Sequence, residues 1–191
     1  MRRVSRVNAQ MPLPLIRTDR LLLDPWARAD LEALHALLCE PEVRRFLWDD
    51  RIIARATAEA LIDAHLHTQR ELHLGYWMVR VPSSKATAVP ALAGFCGFRP
   101  IDAEPDIELV YALSARYRGA GLATEACRAV LDYLWQSTSY ARVYARTDPP
   151  NQRSVAMMVR LGMQHVSSSA TGIRYELRRP AVRDEQRSGA R

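Results

Sequence analysis

Lysine and cysteine are scarce in this chain of 191 residues. Lys85 is the only lysine among 27 basic residues, and the three cysteines, Cys39, Cys96 and Cys127, each sit in an apolar stretch. An odd, scattered set without CxxC or HxxxH spacing excludes a disulfide framework and a zinc site, so we expect no metal and a reducing, cytoplasmic location. No apolar run approaches the length of a membrane span, so we expect no membrane partner.

The basic excess lies partly at the two ends of the chain. The formal charge is +6, and arginines recur in residues 1–14 and 179–191. These polar ends predict disordered basic tails around one folded domain, residues 15–178, whose length suits a single core. No nucleic-acid-binding motif accompanies the charge, so nucleic acid is not expected as a partner.

Hydrophobic periodicity predicts a mixed α+β fold. The expected strands are residues 20–24, 76–81, 92–99, 107–113, 142–146, 163–166 and 173–177. The expected helices are residues 30–38, 42–47, 57–70, 122–137 and 151–161. The middle strands form an antiparallel meander, and the later part alternates strand and helix. We therefore predict a central mixed, mostly antiparallel sheet of about 6–7 strands, flanked by helices on both faces.

Residues 116–126 form the most informative stretch. They join the 107–113 strand to the 122–137 helix and contain Gly119 and Gly121. A glycine loop at a helix N-terminus presents bare backbone N–H groups that attract phosphate, and Arg116 and Arg118 add positive charge. A Walker loop would need Gly-Lys-Ser/Thr, and a Rossmann fingerprint would need a third glycine where Thr124 stands. The stretch therefore predicts a phosphate-bearing ligand of another kind, with a plain tight turn as the alternative.

Several motifs together resemble the GCN5-related N-acetyltransferases (GNAT) across residues 15–178. Arg116-x-x-Gly119-x-Gly121 matches the family's Q/R-x-x-G-x-G/A loop. Further matches, to the ribosomal-protein-alanine N-acetyltransferase branch, are Thr18-Asp19-Arg20-Leu21-Leu22-Leu23, Pro41-Glu42-Val43, Gly94-Phe95-Cys96-Gly97, Glu108-Leu109-Val110-Tyr111, Asn151-x-x-Ser154 and Leu161-Gly162-Met163. Asp24 and Val110 depart from that branch, which often has arginine and glycine there. The resemblance implies the GNAT fold and acetyl-coenzyme A as co-substrate.

In that family the loop amides bind the pyrophosphate of the coenzyme. Carried over by position, the coenzyme-binding residues of the loop are Arg116, Tyr117, Arg118, Gly119, Ala120, Gly121, Ala123 and Thr124. The strand before the loop is expected to splay from its neighbour, so that Tyr111 and Leu113 offer backbone groups to the pantetheine arm. A backbone N–H near Tyr111 would then polarise the thioester carbonyl.

The chemistry is expected at Glu108 and Ser154. An ammonium acceptor must lose a proton before it attacks, and Glu108 is the carboxylate placed to take it; a structural ion pair is the alternative. Asn151 and Ser154 share a face at a helix start, where Asn151 would contact the coenzyme or simply cap the helix. Ser154 would contact the coenzyme and protonate the departing thiolate, because this helix lacks the tyrosine that many relatives place there.

The resemblance implies acetyl transfer to a primary amine by direct attack, without a covalent enzyme intermediate. An α-amino group, with a pKa of about 7.7–8.0, needs less help from one modest base than a lysine amine at about 10.4, which favours a protein N-terminus. The alternatives are a small-molecule amine (antibiotic, polyamine or amino acid) and a coenzyme-binding sensor without catalysis. A homodimer also stays open. Acceptor-pocket candidates, each with core packing or a solvated loop as alternative, are Trp26, Phe46, Trp48, Asp49, Asp50 and Tyr76.

Overall fold

A computed structural model describes residues 12–83, 89–101 and 106–181 of the chain. Its described part holds one eight-stranded sheet with the order β1-β2-β3-β4-β5-β6-β8-β7. The strands are β1 Ile16–Arg17, β2 Leu22–Pro25, β3 Tyr76–Val81, β4 Ala91–Pro100, β5 Ile107–Leu113, β6 Arg142–Thr147, β7 Gln164–Ser168 and β8 Ile173–Arg178. Neighbouring strands are antiparallel except β5 and β6, which are parallel.

Helices cover both faces of this sheet. They are α1 Leu31–Cys39, α2 Pro41–Leu47, α3 Arg55–Leu72, α4 Leu122–Ser137 and α5 Gln152–Arg160. In β3 the side chains of Trp77 and Val79 join the core under α4 and α5, whereas Met78 joins the core under α1–α3. This alternation is what a strand buried on both faces requires, because successive side chains point to opposite sides.

The predicted mixed α/β architecture with helices on both faces is confirmed. Helix α4 buries Leu122, Ala126, Val130 and Leu134, the stripe of every fourth residue that the sequence shows. The sheet has one strand more than the expected 6–7, because β1 contributes only two residues, too few for a periodic pattern. Among the described helices, none is long and apolar enough to cross a membrane.

The folded part extends beyond the predicted limits of residues 15 and 178. Leu13 is buried, and the carbonyl of Pro14 accepts a hydrogen bond from Trp77 Nε1 at 2.8 Å. At the other end Arg179 donates to three carbonyl oxygens, those of Trp135, Thr138 and Tyr140. The expected tails are therefore too long at their inner ends; residues 1–11 and 182–191 lie outside the described residues.

The two residues that depart from the branch pattern, Asp24 and Val110, each contact neighbouring residues in this chain. Asp24 accepts hydrogen bonds from Arg80 Nε at 2.9 and 3.1 Å, and Arg80 Nη2 also donates to Asp30 at 2.7 Å. Burial raises the pKa of Asp24, and the hydrogen bonds from Arg80 oppose that rise. Val110 packs on the core under α1–α3. The two substitutions are thus accommodated by local pairing and packing.

Strands β5 and β6 separate soon after they begin. They pair only at Ile107 with Val143 and at Glu108 with Tyr144. Beyond Glu108 the remaining five residues of β5 have no pairing partner in β6, although they continue to pair with β4. The expected splay is therefore confirmed, and it opens a cleft through the sheet next to the start of α4.

Candidate functional site: a cleft between two splayed strands

The glycine loop has the geometry of an anion site. Gly119 and Gly121 have φ angles of +84° and +76°, in the left-handed region that favours glycine. Gly121 is the N-cap of α4, whose first backbone bond runs from the Glu125 N–H to the Gly121 carbonyl. Within the described part of the chain, no backbone acceptor pairs with the N–H groups of residues 119–124. These groups and the helix dipole favour a phosphate at this end of the cleft.

An N-terminal clamp holds the loop in place. Arg20 Nη1 donates to the carbonyl of Ala120 at 2.8 Å, and Arg20 Nε donates to Glu125 at 2.7 Å. Thr18 also donates its hydroxyl to Glu125. Burial pushes the pKa of Glu125 upward, but the hydrogen bonds from Thr18 and Arg20 outweigh burial and leave its pKa below the ordinary value. This clamp joins residues 105 positions apart, so no local pattern in the sequence predicts it.

The two loop arginines differ in position, because Arg118 lines the cleft and Arg116 does not. Arg116 packs its guanidinium 5.0 Å from the centre of the Tyr117 ring. Arg118 donates to the Glu42 carboxylate at 2.8 Å and to the Leu113 carbonyl at 3.2 Å, so it ties the loop to α2 and to the end of β5. Their charges remain near the site, but the contacts that the structure shows are structural ones.

The cleft encloses about 1570 Å³ and gathers most of the predicted site residues. Arg116 and Ala120 lie outside its lining. The predicted residues that line it are Glu108, Tyr111, Leu113, Tyr117, Arg118, Gly119, Gly121, Ala123, Thr124, Asn151 and Ser154. Residues separated by more than forty positions in sequence thus share one cavity.

The free edge of β5 faces this cavity. The Ser114 N–H bonds to the Ala93 carbonyl of β4. Because antiparallel pairing uses every second residue, the backbone groups of Ala112 also turn toward β4, whereas those of Tyr111 and Leu113 turn toward the splay. The Tyr111 and Leu113 edge is therefore available to a ligand, although the Leu113 carbonyl already accepts one bond from Arg118.

Tyr111 and Ser154 form a pair of hydroxyl groups. Tyr111 Oη lies 2.7 Å from Ser154 Oγ. Burial raises the pKa of Tyr111 well above its usual value, so its phenol stays protonated. Asn151 Oδ1 accepts from the Ser154 N–H at 3.3 Å, which makes Asn151 the N-cap of α5. The sequence shows that α5 itself has no tyrosine, and the structure supplies one to Ser154 from the facing strand β5.

Glu108 lies in an ion pair at the other end of the cleft. Its Oε2 accepts from Arg99 Nε at 2.7 Å and from Arg99 Nη2 at 2.6 Å. Arg146 Nε is 3.7 Å from Oε1. The structural alternative for Glu108 is thus present in the geometry. However, both short bonds go to Oε2, and Oε1 keeps capacity to accept a proton.

The acceptor-pocket candidates are mostly elsewhere. Among them, Phe46 alone lines the cleft. Trp26 is 3% exposed and stacks on Tyr76 with the ring centroids 4.7 Å apart, so the two belong to the core under α1–α3. Trp48 packs against that core too. Asp49 and Asp50 are exposed and pair with Arg51 and Arg44, respectively.

The residues that surround Glu108 were missed by sequence reasoning. They are Arg99, Arg146 and Arg174, and all three line the cleft. Each lies on a different strand, and nothing in the spacing of single arginines signals that they meet.

The side chains of the described residues offer no group of three or more His, Cys, Asp or Glu that could hold a metal ion.

The cleft and its fold match one protein family. The family model described as "Acetyltransferase (GNAT) domain" matches residues 20–164. The chain is 27% identical over 152 residues to the uncharacterized N-acetyltransferase p20 of Bacillus licheniformis, covering 77% of this chain and 80% of p20. It is 25% identical over 140 residues to the spermidine N(1)-acetyltransferase of Escherichia coli strain K12, covering 73% of this chain and 70% of that enzyme.

Solved structures share the fold. An acetyltransferase from Agrobacterium tumefaciens str. C58 is 21% identical with a TM-score of 0.74, covering 91% of this chain and 99% of that one. RimL, a ribosomal L7/L12 alpha-N-protein acetyltransferase in complex with coenzyme A, is 15% identical with a TM-score of 0.70 and covers 88% and 98%. A spermidine N-acetyltransferase from Vibrio cholerae, in complex with CoA and spermine, is 16% identical with a TM-score of 0.69 and covers 85% and 97%. This set does not single out the ribosomal-protein branch.

Proposed function

The chain belongs to the GNAT acetyltransferase family, and on that premise we propose that it transfers acetyl from acetyl-coenzyme A to the N-terminal α-amino group of a protein. It is an acyltransferase that uses acetyl-coenzyme A as donor; the acceptor is the part that we propose. Unpaired Cys39, Cys96 and Cys127 support a cytoplasmic place of action.

The observation that carries the acceptor proposal is the state of Glu108. Its Oε2 is taken by two bonds from Arg99, so Oε1 alone can accept a proton. An α-amino group, with an ordinary pKa of about 7.7–8.0, gives up its proton to a single accepting oxygen far more readily than an alkyl amine at about 10.4 does. The geometry therefore favours an α-amino group over a lysine side chain or a polyamine.

The donor is bound along the other end of the cleft. The N–H groups of residues 119–124 hold the pyrophosphate, with the clamp of Arg20 and Glu125 fixing their position. The pantetheine arm runs along the free edge of β5 and pairs with the backbone of Tyr111 and Leu113. Asn151, which lines the cleft, contacts the arm from α5.

The reaction then needs several proton movements. The α-ammonium gives a proton to Glu108 Oε1, directly or through a water, and the free amine attacks the thioester carbonyl. A backbone N–H near Tyr111 stabilises the oxyanion. The carbon–sulfur bond breaks and the thiolate takes a proton from the Ser154 hydroxyl. The former amine nitrogen, which must lose a second proton to become an amide, returns a proton to Ser154, and the Tyr111 hydroxyl 2.7 Å away holds Ser154 in position. Glu108 then releases the first proton to solvent.

A second candidate is a small amine acceptor. The relative at 25% identity is a spermidine N(1)-acetyltransferase, and a structure of the same fold holds CoA and spermine. The structure of RimL, in turn, supports a protein N-terminus. The names of the relatives therefore support both acceptor classes, and the choice between them rests on Glu108.

Acetyl transfer to a panel of acceptors tests the proposal. The panel contains short peptides that begin with alanine or serine, the same peptides with a blocked N-terminus, spermidine, lysine and an aminoglycoside. We expect turnover on the free peptides and none on the blocked ones. Turnover on small amines alone would show that the proposed acceptor is wrong, and coenzyme binding without transfer to any amine would show a sensor instead of an enzyme.

A further inference from the structure

Three arginines lie at the same end of the cleft as Glu108: Arg99 and Arg146 contact its carboxylate, and Arg174 is directly opposite Arg146. Arg99 on β4 is directly opposite Glu108 in the β4–β5 register, and Arg146 on β6 is directly opposite Arg174 on β8. Glu108 pairs with Tyr144, two residues before Arg146, so all of these side chains share one face of the sheet. This acceptor-end cluster is defined by Arg99, Glu108, Arg146 and Arg174.

The cluster places two positive charges side by side. Like charges directly opposite each other on paired strands destabilise a sheet. Arg174 is engaged by the Tyr144 ring, with its guanidinium carbon 3.7 Å from the ring centre. Arg146 is 64% exposed at its side chain, and its ionic contact with Glu108 is too long, at 3.7 Å, for a hydrogen bond. Its guanidinium can therefore receive an anion from the cleft that it lines.

Hydroxyl groups accompany the arginines. The β7–β8 hairpin brings Ser167, Ser169 and Thr171 to the lining of the cleft, next to Arg146 and Arg174. Guanidinium and hydroxyl donors together suit a carboxylate, because a carboxylate offers several lone pairs and binds Arg in a two-pronged geometry. A cationic acceptor such as a polyamine would meet repulsion at the same surface.

The spacing indicates where on the acceptor the carboxylate lies. Arg146 is two residues beyond the Tyr144–Glu108 pair, a distance of about 7 Å along β6. An extended peptide advances about 3.3–3.6 Å per residue. The long, exposed side chain of Arg146 places its Nε 3.7 Å from Glu108 Oε1 and can swing away from it along β6. A carboxylate on the second or third residue therefore comes within its reach when the amine of the first residue meets Glu108.

We infer that the acceptor is an acidic N-terminus, a peptide whose second or third residue is aspartate or glutamate, and that Arg146 recognises this carboxylate. The inference rests on the proposed function and narrows its substrate class. Replacement of Arg146 therefore changes the ranking of acceptors and leaves coenzyme binding unchanged.

Three peptides that share an N-terminal serine test the inference. Their second and third residues are two glutamates, two glutamines or two lysines. For the unaltered protein we expect kcat/KM on the acidic peptide to exceed that on the basic peptide by about tenfold or more at low ionic strength, and salt to shrink the ratio. Equal rates on all three would overturn the inference and leave the proposed function standing, whereas no turnover on any of them would overturn the proposed function.

Charge reversal at Arg146 sharpens the test. Arg146→Glu should invert the ranking, so that the lysine peptide becomes the better acceptor. Arg146→Gln, which serves if the reversed charge disturbs folding, should abolish the ranking. Arg178→Glu is the matched control, since Arg178 is an exposed arginine on β8 that lies outside the lining of the cleft. The Arg178 variant should keep the preference for acidic peptides, and an unchanged preference in both Arg146 variants would overturn the inference.

Discussion

The two ends of the cleft are built from different parts of the molecule. At the donor end, consecutive residues of one loop and the first turn of α4 expose backbone N–H groups, and the side chain of Arg20 only braces the loop. At the acceptor end, charged side chains converge from β4, β5, β6 and β8 around Glu108. The donor end therefore depends on backbone conformation, and the acceptor end depends on the identity of a few side chains.

This difference predicts which substitutions matter where. A site that binds the acetyl donor through backbone groups tolerates substitution of its side chains, but it does not tolerate changed backbone torsions or added negative charge. A site that recognises the acceptor through side chains tolerates small backbone adjustments, but it does not tolerate the loss of a single charge. Variants at the two ends should consequently separate coenzyme affinity from acceptor turnover.

The largest effect is expected at Glu108. Glu108→Gln keeps the size of the side chain and removes its ability to take a proton, so kcat/KM for amine transfer should fall about 1,000-fold. Steady-state kinetics at saturating acetyl-coenzyme A measures this loss, and calorimetry should find the coenzyme dissociation constant unchanged.

Glu176→Gln is the matched control for that variant. Glu176 is a carboxylate on β8 that is also held by an arginine, with Arg178 Nε 2.8 Å from its Oε1, and it lies outside the lining of the cleft. Its replacement should leave kcat/KM unchanged. Full activity in both variants would mean that Glu108 serves only its ion pair with Arg99.

At the donor end, Gly121→Asp should raise the coenzyme dissociation constant about 100-fold, because a carboxylate near the pyrophosphate adds like-charge repulsion. The substitution also strains a backbone with φ +76°. Gly162→Asp imposes the same strain at φ +82°, at the far end of α5, and should leave the dissociation constant unchanged. Intact binding in Gly121→Asp would show that the loop does not hold the pyrophosphate.

Acid should weaken the face of the sheet under α1–α3. Burial lowers the pKa of His65 to about 4, and its Nδ1 accepts the Tyr76 N–H at 2.9 Å. Between pH 6.5 and about 4 only the unfolded chain binds this proton, so the free energy of unfolding falls as pH falls and is lower by about 2 kcal/mol at pH 5. Above pH 6.5 neither state binds it, and the contribution is fully present.

Urea unfolding at pH 7.5 and pH 5.0 measures that change. His65→Gln should remove it, whereas His165→Gln, at an exposed histidine of β7, should retain it. If the free energy of unfolding of His65→Gln falls between pH 7.5 and pH 5.0 as much as that of the unaltered protein, the acid-sensitive group lies elsewhere in the chain.

The smallest effect is expected where the two ends meet, at the pair of hydroxyls. Tyr111→Phe removes the partner of Ser154 Oγ and should lower kcat about 10-fold, the worth of roughly one hydrogen bond. The coenzyme dissociation constant should stay unchanged, because in the proposed complex Tyr111 contacts the coenzyme through backbone groups. Tyr133→Phe, whose hydroxyl bonds to the His73 carbonyl away from the cleft, is the control. Equal kcat values in both variants would show that Tyr111 has no part in positioning Ser154.

The same contrast explains what could be predicted from the sequence. The donor loop was predictable because a strand, two glycines and a helix follow one another along the chain. Strands Tyr76–Val81 and Ile107–Leu113 also lie where their patterns placed them. The start of α3 was wrong, because the helix begins after Ala54 without a capping side chain, and not at Thr57.

The acceptor end could not be predicted in the same way. Arg99, Arg146 and Arg174 are three of 26 arginines, and only the register of four strands brings them together. The bond between Arg20 and Glu125 spans 105 positions of sequence and likewise leaves no local signal. Local geometry is encoded in neighbouring residues, whereas a charge cluster depends on the complete sheet.

The splay between β5 and β6 has a consequence for how long the protein survives in a cell. Five residues of β5 present an unpaired strand edge until a ligand covers them, and such an edge invites pairing with another chain. A coenzyme bound there acts as a missing strand, and at 100 times its dissociation constant it adds about 2.7 kcal/mol of stability. When the cell's supply of coenzyme A and acetyl-coenzyme A falls, less of the protein has a coenzyme bound, and its half-life should shorten.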